Sequence, residues 1–203
     1  LAIGAHSSRR LGVPGEDLFR GKGISYCATC DGDFFTGKEI VVVGGGNSAL
    51  EEAVSLTKYV TKVTVVHQFD HFQAFEYAIE EARANPKISF VMTSTIASFY
   101  GNDSIEGVEI KNLLSGEVTR FATDGVFIFI GYVPNTETLK GMVSLNERGE
   151  IIAGTDMSTN IKGVYAAGDA VVKRYRQVTT AVGEGTVAAL AAAEYLNTLK
   201  IKQ

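Results

Sequence analysis

The chain has two cysteines, and they sit three apart in Cys27-Ala28-Thr29-Cys30-Asp31. Two cysteines at this spacing can close a small disulfide ring at the start of a helix. There the helix dipole and free N–H groups favour the thiolate, the nucleophilic form of the side chain. Asp31, next to the second cysteine, is placed to carry a proton to or from a sulfur. Two other readings compete. A buried, unreactive pair is one. Half a zinc site is the other, completed by His67-x-x-x-His71. However, 36 residues separate Cys30 from His67, against roughly 12–15 in a zinc finger. A disulfide scaffold would use more cysteines, spread along the chain. Redox work is therefore the expectation, with no metal.

A second chemical signal is Gly44-Gly45-Gly46-Asn47-Ser48-Ala49, which fits G-x-G-x-x-A. Glycines permit a tight turn and let backbone N–H groups approach a pyrophosphate, and a following helix N-terminus favours its charge. Gly44, Gly46, Asn47, Ser48 and Ala49 are thus candidate dinucleotide contacts. A turn that only packs helix on strand is the alternative. Discrimination between NAD and NADP lies at the end of the second strand, here His67-Gln68-Phe69-Asp70-His71-Phe72-Gln73-Ala74. That stretch holds no Arg or Lys and makes a poor clamp for a 2′-phosphate. His67 either stacks on or bonds an adenosine, or is simply a polar strand end.

These groups need a scaffold. Ile40–Val43 is a β-branched run of the kind buried on both faces of a parallel sheet. Ala49, Ala53, Leu56 and Val60 then form one helical stripe, and Val63–Val66 is the next strand, completing a βαβ unit. A helix is expected over Phe72–Ala84, stopped at Asn85-Pro86, with a strand over Ile88–Met92. Three short segments, 95–100, 105–111 and 117–122, read as an antiparallel meander. Val126–Ile130 returns to the buried type. Val164–Ala167 is strand-like and runs into Gly168-Asp169. A last helix carries Val178, Ala181, Val182, Gly185, Ala189, Ala192, Leu196 and Leu199 on one face.

Composition excludes several classes. The chain has 203 residues, 45% hydrophobic and 21% charged, with net charge −4, which suits a soluble globular fold rather than a nucleic-acid surface. No apolar run, Val126–Ile130 included, comes near the ~20 residues of a membrane helix. The chain opens without Met on Leu1-Ala2-Ile3-Gly4, an apolar strand, so upstream sequence is expected to be missing. Linker signals at Leu11–Gly15 and Gly131–Asn135 suggest that residues ~10–133 are a domain inserted into another.

Taken in order, the motifs resemble low-molecular-weight bacterial thioredoxin reductases: Gly-Val-Pro-Gly-Glu at 12–16, Gly-Lys-Gly-Ile-Ser-Tyr-Cys-Ala-Thr-Cys-Asp-Gly at 21–32, Val-Val-Gly-Gly-Gly-Asn-Ser-Ala-Leu-Glu-Glu-Ala at 42–53, Gly-Tyr-Val-Pro-Asn-Thr at 131–136, Ala-Ala-Gly-Asp at 166–169 and Arg-Gln at 176–177. The resemblance implies an α/β fold: a Rossmann-like NAD(P)-binding domain (10–133) with the meander and the redox disulfide, inserted into a partial FAD-binding domain of the same type (1–9 and 134–203). It implies that Cys30 faces the flavin, that Cys27 attacks the disulfide of thioredoxin, and that Asp31 is the acid–base group. Gly168-Asp169 would hold the ribityl chain of FAD, and Arg176-Gln177 would lie against the isoalloxazine edge. A cytoplasmic homodimer is implied as well.

Two departures shape the expectation. The family opens with a further strand–glycine–helix unit for the ADP half of FAD, and none precedes Leu1, which predicts weak or no FAD binding by the chain as given. The family's NADPH signature, His-Arg-Arg-x-x-x-Arg, has Gln68, Phe69 and Gln73 at its three arginine positions. Arg–phosphate bonds are worth on the order of 1.5–3 kcal/mol each. NADH, a ferredoxin or another flavin donor therefore stands as an alternative to NADPH, and a non-enzymatic nucleotide-binding or interaction module as a second alternative. Because disulfide and nucleotide fold share a domain yet must both meet one flavin, a hinge is expected near Pro14 and Pro134.

Overall fold

A computed structural model describes residues 6–176 and 178–200; the strand expected at Leu1–Gly4 and the candidate residue Gln177 lie outside them. The contacts divide the chain into two units, Ser8–Gly131 and Leu1–Ser7 with Tyr132–Gln203. After β1 (His6–Ser8), the first unit runs α1 (Glu16–Phe19), β2 (Ile24–Ser25), α2 (Ala28–Asp31), a 3-10 turn (Gly32–Phe35), β3 (Glu39–Val43), α3 (Asn47–Leu56), β4 (Lys62–Val66), α4 (Glu76–Ala84), β5 (Ile88–Val91), β6 (Ser94–Gly101), β7 (Ile105–Asn112), β8 (Val118–Ala122) and β9 (Gly125–Ile128).

Five strands form one sheet in the order β2-β9-β3-β4-β5, with every pair parallel. The β-branched runs of β3 (Ile40–Val43) and β4 (Val63–Val66) are continuous because both faces are covered. Ile40 and Val42 join a core with Ala49, Leu50, Ala53 and Leu56 of α3 and Ala78 and Ala82 of α4. Val41 and Val43 join a second core with Ile96, Phe99, Val108 and Ile110. Those residues come from β6-β7-β8, which pair antiparallel as the expected meander. Side-chain alternation along β3 thus ties helices to one face and the meander to the other. The stripe Ala49, Ala53, Leu56 and Val60 is fully buried. Burial of each large aliphatic side chain is worth about 1.5–3 kcal/mol.

Two expected elements differ. The helix read as Phe72–Ala84 begins at Glu76. The four preceding residues are held outside it by the glycine turn: Gln73 N–H donates to the Gly45 carbonyl at 2.8 Å, and Phe75 N–H donates to Asn47 Oδ1 at 2.7 Å. Val164–Ala167 forms no strand, only an isolated bridge between Ser158 and Tyr165. The short β2 escaped sequence reading because two residues carry no period. Pro14 is anchored inside its unit, its carbonyl accepting the Phe99 N–H at 2.9 Å.

The second unit contains β10 (Tyr132–Pro134), a 3-10 turn (Glu137–Leu139) and α5 (Val178–Lys200). β10 pairs with β1. Leu139, Val143, Ile151, Ala166, Ala170 and Val171 make its core. Ile151 is the hub, its N–H donating to Ala170 O and its carbonyl accepting from Val172. On α5 the apolar residues Val178, Val182, Leu196 and Leu199 are exposed. No described element covers that part of the stripe.

Candidate redox and nucleotide site

The carboxyl end of β2 leads straight into the cysteines. Cys27 and Cys30 are joined in a disulfide. Cys27 caps α2, its Sγ accepting the Cys30 N–H at 3.2 Å. Cys27 is half-buried, and Cys30 is exposed. Beneath them lies a residue that the sequence reading missed. Ser25 is buried, accepts the Cys27 N–H at 3.1 Å, and donates to Asp31 Oδ2 at 2.6 Å. Its only signal in the sequence was a hydroxyl two residues before the motif.

The glycine turn sits at the carboxyl end of β3. β9 lies between β2 and β3, so disulfide and turn occupy one edge of the same sheet, about 10 Å apart by strand spacing. Carboxyl edges of open parallel sheets are where such folds bind ligands. Gly44 has φ +136°, and a Cβ there would collide with the Phe129 carbonyl. A Cβ on Gly45 would run into the His67 ring. Gly46, by contrast, has room for a Cβ, which would meet only the Gln73 carbonyl at 3.8 Å, and an ordinary φ. Asn47, Ser48 and Ala49 open α3, whose first turn contains no acidic residue to satisfy its N–H groups in place of a ligand.

His67 directly follows β4, under this turn. It is buried, its ring stacks on Phe72 at 5.8 Å and meets Phe69 edge-on at 5.4 Å, and Nε2 has no hydrogen-bond partner. Burial pushes its pKa down, so the imidazole is neutral at neutral pH. Gln68, Phe69 and Gln73 are exposed beside it. Asp70 and His71 pair at 2.7 Å, and the hydrogen bond from His71 holds the Asp70 carboxyl below its ordinary range. One cation that the sequence reading overlooked, Arg83, lies over the Phe72 ring at 5.9 Å. Among the described residues no cluster of His, Cys, Asp and Glu is gathered for a metal, and no helix is long and apolar enough to cross a membrane.

In the second unit, Gly168 and Asp169 are half-buried. Gly168 N–H donates to Glu184 Oε2 at 2.9 Å, and Lys173 Nζ meets the same oxygen at 2.5 Å. Arg176 bonds Glu150 and donates from Nε to the Asp169 carbonyl at 3.2 Å. Asp169 Oδ1 is buried with no hydrogen-bond partner, 3.9 Å from Lys173 Nζ.

Comparison with known proteins agrees with this architecture. The family model described as "Pyridine nucleotide-disulphide oxidoreductase" matches residues 1–185. A thioredoxin reductase of Peptoclostridium acidaminophilum is 46% identical, covering 97% of this chain and 64% of its own length. The crystal structure of Lactococcus lactis thioredoxin reductase superposes with a TM-score of 0.91 at 41% identity, over 96% of this chain and 64% of that one. A ferredoxin-flavin thioredoxin reductase from Clostridium acetobutylicum superposes with a TM-score of 0.51 at 32% identity, over 97% and 62%. The chain therefore spans a little under two thirds of the relatives it matches. With a parallel sheet, a glycine turn and a paired disulfide on one edge, the chain belongs to the pyridine nucleotide-disulphide oxidoreductase family.

Proposed function

We propose that the chain is the disulfide-bearing part of a flavin-dependent reductase that passes electrons to the disulfide of a thioredoxin-like protein. The observation that carries this reading is the closed Cys27–Cys30 pair on the same sheet edge as the glycine turn. FAD fits the second unit because the buried Asp169 Oδ1, with no hydrogen-bond partner and only a 3.9 Å ion pair to Lys173 Nζ, is an acceptor suited to a ligand hydroxyl. Asp169, Gly168 and Arg176 would hold that group, with Gln177 by resemblance. Bound there, the flavin would supply the electron pair that opens the disulfide.

The remaining chemistry belongs to the chain itself. In the opened pair, the Cys27 thiolate attacks a disulfide sulfur of the partner and displaces the other sulfur as a thiolate. The Cys30 thiolate then attacks Cys27, closing the ring and releasing the partner as a dithiol. Asp31 holds or moves the proton that each sulfur gains or loses. The chain crosses between its two units at Ser7–Ser8 and Gly131–Tyr132, and we place the hinge expected near Pro14 and Pro134 at these crossings, since Pro14 is tied to Phe99.

Gly44–Gly46 and the first N–H groups of α3 suit the diphosphate of a pyridine nucleotide. The extra phosphate of NADPH is poorly served, with Gln68, Phe69 and Gln73 where the family's arginines stand. This favours a second reading of the donor, NADH or a ferredoxin, and the likeness to a ferredoxin-flavin thioredoxin reductase supports it. Mixing the flavin-loaded protein with NADPH, NADH or reduced ferredoxin, then with oxidised thioredoxin, tests both levels. Bleaching by NADH or ferredoxin followed by thioredoxin reduction supports the reading. Efficient bleaching by NADPH at micromolar concentration overturns the donor assignment. A full-length protein that is colourless and stays so with added FAD overturns the flavin.

A further inference from the structure

We propose that Ser25 is a positioning residue for Asp31, and that its hydroxyl turns with each proton Asp31 gains or loses. The proposal rests on the reading of Asp31 as the acid–base group of the Cys27–Cys30 pair. Three hydrogen bonds meet at Ser25 Oγ. It accepts the Cys27 N–H at 3.1 Å, and it has two acceptors for its one proton: Asp31 Oδ2 at 2.6 Å and the Cys27 carbonyl at 3.3 Å. A single hydroxyl proton serves one of them at a time.

The protonation state of Asp31 decides which. While Asp31 is a carboxylate, the charge-assisted bond to Oδ2 is stronger, and the hydroxyl points there. Once Asp31 carries a proton, its own O–H donates to Ser25 Oγ, and the Ser25 proton swings to the Cys27 carbonyl. No heavy atom moves. Opening the disulfide with an external dithiol takes two electrons from that dithiol, which becomes a disulfide, and leaves two sulfurs to be protonated. Transfer from the Asp31 carboxyl to a thiolate then gives a thiol and a carboxylate, and Ser25 turns back.

The surroundings allow this. Ser25 is 5% exposed and fixed in β2 by pairing with Phe127 of β9, so its oxygen has little freedom to follow Asp31 elsewhere. Among the described residues Ser25 is the hydrogen-bond donor to the Asp31 carboxylate. The titratable groups on or beside elements packed against α2 are Asp33 of the 3-10 turn and Lys38 after it, Glu51 and Glu52 of α3, Lys58 and Tyr59 just after α3, and Tyr26 ahead of Cys27. None of them is hydrogen-bonded to Asp31.

The test is the pH profile of thiol–disulfide exchange between dithiothreitol and the 203-residue chain, for wild type, Ser25→Ala, Ser25→Thr and Asp31→Asn. We expect an acidic limb that Asp31→Asn abolishes. Ser25→Ala should change the position of that limb, because the hydroxyl that meets Asp31 Oδ2 at 2.6 Å is gone, and Ser25→Thr should restore it. A uniform slowing in Ser25→Ala with the limb unmoved overturns the proposal, yet leaves the Asp31 assignment standing. A limb that survives Asp31→Asn overturns that assignment and the proposal with it. If Ser25→Ala does not fold, the equal-shaped pair Ser25→Thr and Ser25→Val reads the same difference.

Discussion

The hydroxyl of Tyr26, the residue before Cys27, donates to Glu16 Oε1 at 2.6 Å. Glu16 is buried, and it also accepts Leu11 N–H at 3.1 Å and Gly12 N–H at 2.7 Å. One carboxylate therefore ties the approach segment to the redox loop. Replacing Glu16 with Ala strands two backbone donors and the tyrosine. We expect Glu16→Ala to destabilise the unit by about 3 kcal/mol, seen as a lower urea midpoint with unchanged slope. An unchanged midpoint would show that the carboxylate is not a tie.

Tyr26 itself predicts an alkaline dependence. Burial, with the hydrogen bond to Glu16 second, pushes its hydroxyl up to about 12 from an ordinary 10.0. The folded state thus keeps a proton that the unfolded chain loses. This contribution is complete below pH 10.0 and is lost as pH rises toward 12. Urea midpoints between pH 9 and 11 should fall less steeply in Tyr26→Phe than in wild type. Parallel slopes would contradict the assignment.

The fold and the chemistry were legible in the sequence to different degrees. The β3–α3–β4 unit was readable because its burial obeys strict periods: Ala49, Ala53, Leu56 and Val60 at helical spacing, and β-branched residues in unbroken runs. The start of α4 was not, because Gly45 and Asn47, about thirty residues away, capture the backbone at Gln73 and Phe75. The cysteines announced themselves by spacing. Ser25 and Glu16 did not, since a buried polar residue looks like any other serine or glutamate until its partners are known. The stripe on α5 was visible as a pattern, but a pattern does not say which surface covers it.

The glycine turn predicts opposite outcomes for neighbouring substitutions. Gly44→Ala forces a Cβ into the Phe129 carbonyl at φ +136°, and it should lower stability by at least about 1 kcal/mol. Gly46→Ala has room within the fold and should shift the midpoint by no more than about 0.5 kcal/mol. Its methyl group would intrude where a diphosphate approaches, so nucleotide affinity should drop about tenfold or more. Calorimetry with NADH and NADPH separates the two effects. Wild-type affinity in Gly46→Ala would remove the turn from the binding site.

Donor choice can be rebuilt. The backbone at Gln73 is fixed by its bond to the Gly45 carbonyl, so an arginine there starts from a held position beside the turn. The triple change Gln68→Arg, Phe69→Arg, Gln73→Arg should raise NADPH affinity by about a hundredfold, well within three charge-assisted bonds, with little change for NADH. Equal gains for both nucleotides would mean that these positions do not read the 2′-phosphate.

The most direct measurement of the central claim is thioredoxin reduction by the flavin-loaded protein with both sulfurs replaced, Cys27→Ala and Cys30→Ala together. The account predicts that the electron donor still bleaches the flavin while no electrons reach thioredoxin, and that the wild type gains two titratable thiols per chain on reduction. Thioredoxin reduction at the wild-type rate in the double variant would contradict it.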